Sequence, residues 1–134
     1  MVKDPLVPFL DCSALRQLSR RHTACEACRS LRCDGWEALS GAFDRSRLRR
    51  IGTLRRPHGD DEPTLLEYHP AQTHAWSADA PIAPAFYPYN RCDVWCCAEC
   101  ERPFLRYTEY GGYYEEERIR ELKAELVTDA QTSA

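Results

Sequence analysis

The residues of this chain best placed to do chemistry are its cysteines, eight of them in 134 residues. Four form two C-x-x-C pairs, Cys25-Glu-Ala-Cys28 and Cys97-Ala-Glu-Cys100. That spacing lets one tight turn present two thiolates to a tetrahedral ion at about 2.3 Å, and two such turns complete a closed four-thiolate shell of the structural zinc type. In an exported protein an even cysteine count would point to disulfides. The opening residues, MVKDPLVPFLDC, hold two prolines and no long apolar run, so they do not read as a secretory signal. The expectation is a cytoplasmic chain whose thiols stay reduced and bind metal. Cys25, Cys28, Cys97 and Cys100 are therefore the expected ligands of a structural Zn2+. Cys33, Cys92 and Cys96, and His22 three residues before Cys25, stand close enough in sequence to be alternative ligands. Otherwise Cys12, Cys33, Cys92 and Cys96 read as small buried apolar residues.

Sixty-eight residues separate Cys28 from Cys97, so a metal clip there closes a long loop. Apparent zinc affinities of about 10–16 kcal/mol in small modules rival the roughly 5–15 kcal/mol stability of ordinary domains. Other chemistries find less support. Glu67, His69 and His74 offer hydrolytic metal ligands, but without the helical H-E-x-x-H spacing they read as an exposed polar face. A thioredoxin-type redox site at Trp95-Cys96-Cys97 needs a helix after the cysteines, and Pro103 with the β-pattern beyond Cys100 opposes one. The nucleophile-elbow, P-loop and Rossmann glycine patterns are all missing from the sequence. The expected role is non-enzymatic.

Charge and aromatic residues point to partners. Residues 1–56 carry twelve Lys+Arg against six Asp+Glu, and residues 57–134 carry six against fifteen. The total of −3 is thus a difference between a basic half and an acidic one. Arg45, Arg47, Arg49, Arg50, Arg55 and Arg56 form a cluster suited to phosphate, which makes nucleic-acid binding one candidate function. Internal pairing with the acidic half is the structural alternative. Trp76, Tyr87, Tyr89, Tyr110, Tyr113 and Tyr114 are candidates for a protein-binding surface, since tyrosine and tryptophan anchor interfaces through stiff, amphipathic contact area. No apolar run approaches the ~18 residues of a membrane span.

The elements that must position these residues follow from pattern. Residues 10–21 carry a helical stripe with Asp11 or Ser13 as cap. Short helices are expected at GWEAL (35–39) and DRSRLRRI (44–51), the latter capped by Asp44 and ended by Gly52. Residues 57–63 read as a turn-rich loop, 64–70 and 73–77 as strands, and the proline-containing 78–90 as an extended loop. Strands are expected at 91–96 and 104–110. Gly111-Gly112 signals a hairpin turn, and a return strand follows to about 117 with a helical or frayed end, where Ile119, Leu122 and Leu126 fall at helical spacing.

The run of strand, C-x-x-C, strand and hairpin, carried by VWCCAEC and FLRYTEY together with CEAC upstream, resembles the zinc-ribbon and zinc-knuckle group. It departs from the usual ribbon in its long insertion and in having Glu101 where a glycine commonly follows the second cysteine. The resemblance implies a metal-held scaffold. The whole reads as one α+β domain over 1–134: a helix and first knuckle at 10–33, a basic segment at 44–56, a proline-rich loop at 78–90, and a second knuckle and hairpin at 91–120. The expected function is that of a protein-interaction module, similar in type to small bacterial immunity and adaptor proteins. The alternative is a nucleic-acid-binding zinc module using the Arg45–Arg56 cluster.

Overall fold

A computed structural model describes residues 7–18, 25–56, 64–70, 72–74, 76–111 and 113–131. One short helix, α1 (Cys12–Leu18), precedes a five-stranded antiparallel sheet. Its strands are β1 (Glu37–Ala38), β2 (Leu48–Thr53), β3 (Asp93–Cys97), β4 (Pro103–Tyr110) and β5 (Glu115–Glu121), in the order β1-β5-β4-β3-β2. The class is α+β, mostly β. Single 3₁₀ turns lie at Arg45–Arg47, Tyr89–Arg91 and Ala124–Leu126. Among the described residues no helix is long and apolar enough to cross a membrane.

Side chains alternate across a strand, and both faces of this sheet are covered. On one face Val94, Leu105, Tyr107 and Leu122 join Leu15 of α1, Trp36, Leu54, Ile82, Tyr89, Cys92 and Val127. On the other, Leu48, Cys97, Phe104 and Ile119 meet Cys28, Leu31, Cys33 and Leu39. This arrangement corrects three helix expectations at once. Trp36 and Leu39 in GWEAL, Leu48 and Ile51 in DRSRLRRI, and Ile119 and Leu122 near the C-terminus are each three residues apart. In each pair one member feeds one core and its fellow the other. A strand sends residues of odd separation to opposite faces, so spacing that imitates a helix here marks a strand buried on both sides.

Local signals still act within those corrections. Asp11 accepts from Ala14 N–H (2.9 Å) at the start of α1, and Asp44 accepts from Ser46 N–H (3.0 Å), but Asp44 caps only one 3₁₀ turn before the chain enters β2. Gly52 does not end an element; it sits inside β2 beside a bulge. A Cβ there would lie 2.4 Å from Leu10, so the missing side chain lets residues 8–10 run against the strand, where Leu10 N–H donates to Thr53 O (3.0 Å). Residues 64–70 and the described part of 73–77 are turns and irregular chain, not strands. The 57–63 loop, Gly112 and residues 19–21 of the expected helix lie outside the described residues.

The proline-rich segment covers the larger core and is held by a buried cation. Arg120, with 0% exposure, donates from Nη1 to Tyr89 Oη (2.7 Å) and Ala80 O (3.2 Å), and from Nη2 to Ala78 O (3.3 Å). Tyr89 is therefore a core residue holding this arginine. Its expected place on a binding surface is corrected, because the loop's own backbone closes over it.

On the opposite face the basic segment meets the acidic half. Glu117 of β5 accepts from Arg45 Nε (2.9 Å) and from Arg106 of β4. Burial pushes the Glu117 carboxyl up, but the guanidiniums of Arg106 and Arg45 outweigh it and hold it below the ordinary 4.5. A carboxylate whose folded pKa is depressed adds stability that is complete above its unfolded pKa and disappears as pH falls through the folded one. Glu117→Gln is expected to lower Tm at pH 7. The gap from the parent chain should narrow steadily below pH 4.5, as followed by circular-dichroism melts across pH 3–7.

Candidate metal centre

Each half of the site is built by a turn. In the first, Cys28 N–H (3.1 Å) and Arg29 N–H (2.9 Å) both donate to Cys25 O, which curls 25–30 into one compact loop. In the second, β3 ends at Cys97, whose O accepts from Glu101 N–H (2.8 Å) while its N–H donates to Arg102 O (2.9 Å). Glu101 closes this turn with φ 67°. That left-handed conformation costs an L-residue roughly 1–2 kcal/mol and suits glycine. Arg47 ties the turns to each other: its O accepts from Ala98 N–H (2.8 Å) and its Nη1 donates to Ala27 O (3.2 Å).

The result brings together the four cysteines of the two C-x-x-C pairs. Their Sγ atoms all lie within 4.8 Å of one another, with Cys25–Cys97 at 3.5 Å, Cys28–Cys100 at 3.7 Å and Cys25–Cys28 at 3.9 Å. A tetrahedron with metal–sulfur bonds of 2.3 Å has edges of about 3.8 Å, so the cluster is compatible with a four-coordinate zinc-type ion. Among the described residues it is the one group of His, Cys, Asp or Glu side chains close enough to hold an ion.

Taken as free thiols, the four differ. Burial raises Cys25, but hydrogen bonds from the Cys97 thiol and the Ala27 N–H outweigh it and bring it down to about 7. Burial pushes Cys28 up to about 12 and also raises Cys97. An ion has to displace the protons of these buried thiols, so its affinity must weaken as pH falls.

Arg102 is the residue of this site that spacing does not reveal. It is buried and donates from Nη1 to Leu31 O (2.8 Å) and Cys28 O (3.3 Å), and from Nη2 to Arg32 O and Glu121 Oε1 (both 3.2 Å). Its Nη1 also stands 3.9 Å from Cys28 Sγ, placing a positive charge beside the sulfur cluster. A basic residue two positions after Cys100 is visible in the sequence, but its carbonyl partners some seventy residues away are not.

The alternative ligands are not brought into the cluster. Cys96 neighbours Cys97 in β3 and so points to the opposite face of the sheet. Cys92 is buried in the larger core and donates to Pro88 O (3.4 Å). Cys33 is buried beside the cluster, and burial raises its thiol. His22 lies outside the described residues. Glu67 and His69 pair with each other on the surface (2.7 Å), while His74 Nδ1 accepts from Trp76 N–H (3.3 Å).

The other candidate residues divide similarly. Arg45 is engaged by Glu117, and Arg50 (3.4 Å) and Arg55 (3.0 Å) both reach Asp93. Arg47 braces the first knuckle, Arg49 is exposed, and Arg56 lies over the Phe9 ring. Tyr110, Tyr113 and Tyr114 are exposed at the β4–β5 hairpin, and Trp76 is exposed with Arg118 over its ring. Tyr87 is half-buried and donates to Glu109 Oε1 (2.7 Å).

Comparisons with protein-family models, with curated proteins and with solved structures find no match, so the chemistry of the site rests on its own geometry. That geometry makes one local prediction. Glu101→Gly relieves the left-handed strain at the second turn, less the entropy that glycine loses on folding, and should stabilise the fold by about 0.5–1 kcal/mol. Thermal melts of the two reduced proteins should show a Tm higher by a few degrees in the variant.

Proposed function

We propose that Cys25, Cys28, Cys97 and Cys100 hold a structural zinc ion, and that the chain is a non-enzymatic protein-interaction module stapled by it. The observation that carries this reading is the closed four-sulfur cluster. Four protein thiolates fill every position of a tetrahedral ion and leave none for a substrate, which is the pattern of structural sites. The smaller core beneath it includes three of the site's own ligand and neighbour cysteines, Cys28, Cys33 and Cys97. Its outer wall, residues 25–33, is turn and irregular chain, so an ion that joins this wall to β3 supports the core directly.

Protein recognition is favoured by the exposed tyrosines Tyr110, Tyr113 and Tyr114, which present large, stiff side chains at the end of the β4–β5 hairpin. The nucleic-acid alternative keeps Arg47, Arg49 and Arg56 on the surface, but Arg45, Arg50 and Arg55 are committed to Glu117 and Asp93. Charges already paired inside the molecule add less to phosphate binding, which ranks that reading second.

Elemental analysis of the reduced protein is expected to find one zinc per chain. Cys25→Ser and Cys97→Ser should lose it while Cys12→Ser keeps it. Chelation should lower Tm or abolish the cooperative transition. A metal-free protein whose melt is indifferent to chelator would overturn the site. For the interaction role, a partner captured by the parent chain should survive nuclease treatment and be lost on Tyr113→Ser. Retention only on a polyanion matrix, released by salt, would favour the alternative.

A further inference from the structure

The four cysteines of the metal centre are not equally open to solvent. Cys28 and Cys97 have 0% exposure, whereas Cys25 and Cys100 are partly exposed. Each knuckle therefore contributes one cysteine that a small solute can reach and one that it cannot. The open cysteine of each knuckle lies beside the buried cysteine of the other: Cys25 Sγ is 3.5 Å from Cys97 Sγ, and Cys100 Sγ is 3.7 Å from Cys28 Sγ. These two pairs share no atom and together use the whole cluster. Within the first knuckle Cys25 and Cys28 stand 3.9 Å apart, so the nearer of these two neighbours of Cys25 belongs to the opposite turn.

The other cysteines lack this arrangement. Cys33, Cys92 and Cys96 are buried. Cys12 is partly exposed, but its Sγ donates to Thr128 O (3.6 Å) beside the larger core, on the face of the sheet away from the cluster. The two buried sulfurs of the cluster are also met by donors. Glu99 N–H donates to Cys97 Sγ (3.4 Å), and Arg102 Nη1 stands 3.9 Å from Cys28 Sγ. Thiols bind metal only as thiolates, so in the loaded centre no proton has to leave before any of the four sulfurs can react. An accessible thiolate poised next to a second one is the arrangement that a peroxide turns into a disulfide.

We propose that the centre is a peroxide-responsive switch in which two disulfides between the knuckles, Cys25–Cys97 and Cys28–Cys100, replace the ion. In each pair the open thiolate attacks hydrogen peroxide: an S–O bond forms, the O–O bond breaks, and hydroxide leaves with the electron pair. The buried thiolate of the pair then attacks the resulting sulfenic sulfur, forming the S–S bond and expelling a second hydroxide. Each disulfide takes two electrons from sulfur and reduces one peroxide to two hydroxides. Four thiolates and two peroxides thus give two disulfides, four hydroxides and the freed ion.

Both cross-links run between the same two turns as the ion, so residues 25–33 stay fastened to the end of β3 when the metal leaves. Disulfides inside each knuckle would release the metal and leave that wall of the smaller core untied. The inference deepens the structural-zinc reading and rests on it.

The test treats the zinc-loaded full chain, freed of reductant, with hydrogen peroxide. Zinc release, followed with a chromogenic chelator, should run at least tenfold faster than in untreated protein. Remaining thiols are then alkylated and the chain is cut with glutamyl endopeptidase, whose sites after Glu26 and Glu99 separate the two cysteines of each knuckle. Mass analysis should find Cys25 linked to Cys97 and Cys28 linked to Cys100. The oxidised chain should keep a cooperative thermal transition in excess chelator, and should fall to the melt of the chelated, reduced protein when dithiothreitol is added. Cys12→Ser should give the same release and the same linked peptides. Zinc retained under peroxide overturns the switch, and so does release without disulfides, with disulfides confined to each knuckle, or with linkage through Cys12, Cys33, Cys92 or Cys96. In each of those cases the structural-zinc reading stands. A chain that holds no zinc before treatment overturns both.

Discussion

A sheet buried on both faces has to be given two coverings, and this chain has ample material for only one. The larger core takes α1, the proline-rich segment and the C-terminal residues, and it closes over Arg120. The smaller core has a wall of nine residues, 25–33, without helix or strand. That wall is held by the convergence of four cysteine sulfurs and by one buried guanidinium, Arg102, that satisfies three of its carbonyls. Irregular backbone can form the side of a core only when its polar groups find partners, and here Arg102 supplies them to the carbonyls of Cys28, Leu31 and Arg32.

The same economy explains the charge distribution. A basic half and an acidic half do not form two opposed fields, because the fold interleaves them. β2 brings Arg50 to Asp93, and the turn before it brings Arg45 to Glu117. Carboxylates are shared among guanidiniums on this face, Asp93 between Arg50 and Arg55 and Glu117 between Arg45 and Arg106. Net charge alone carries little information about a binding surface when pairing is this extensive.

What could be read in advance was whatever depends on few residues close in sequence. The C-x-x-C pairs, the caps at Asp11 and Asp44, the strands flanking the second knuckle and the hairpin near Gly111 are all local features, and all stand in the structure. The pairing of knuckle with knuckle across sixty-eight residues was legible too, because metal-ligand spacing leaves few ways to complete a shell. The roles of Arg102 and Tyr89 were not, since their partners lie dozens of residues away and are mostly main-chain atoms that carry no sequence signature.

The misread segments share one cause. Apolar residues three apart are the mark of a helix only if a single face is buried, and the number of buried faces is a property of the assembled molecule. Trp36 with Leu39, Leu48 with Ile51, and Ile119 with Leu122 satisfied the helical rule while serving two cores. The sequence by itself determined which side chains had to converge, because thiolate chemistry and capping act through residue type and short spacing. Only the tertiary structure decided where strands would run, because backbone pairing is completed between segments that no local pattern connects.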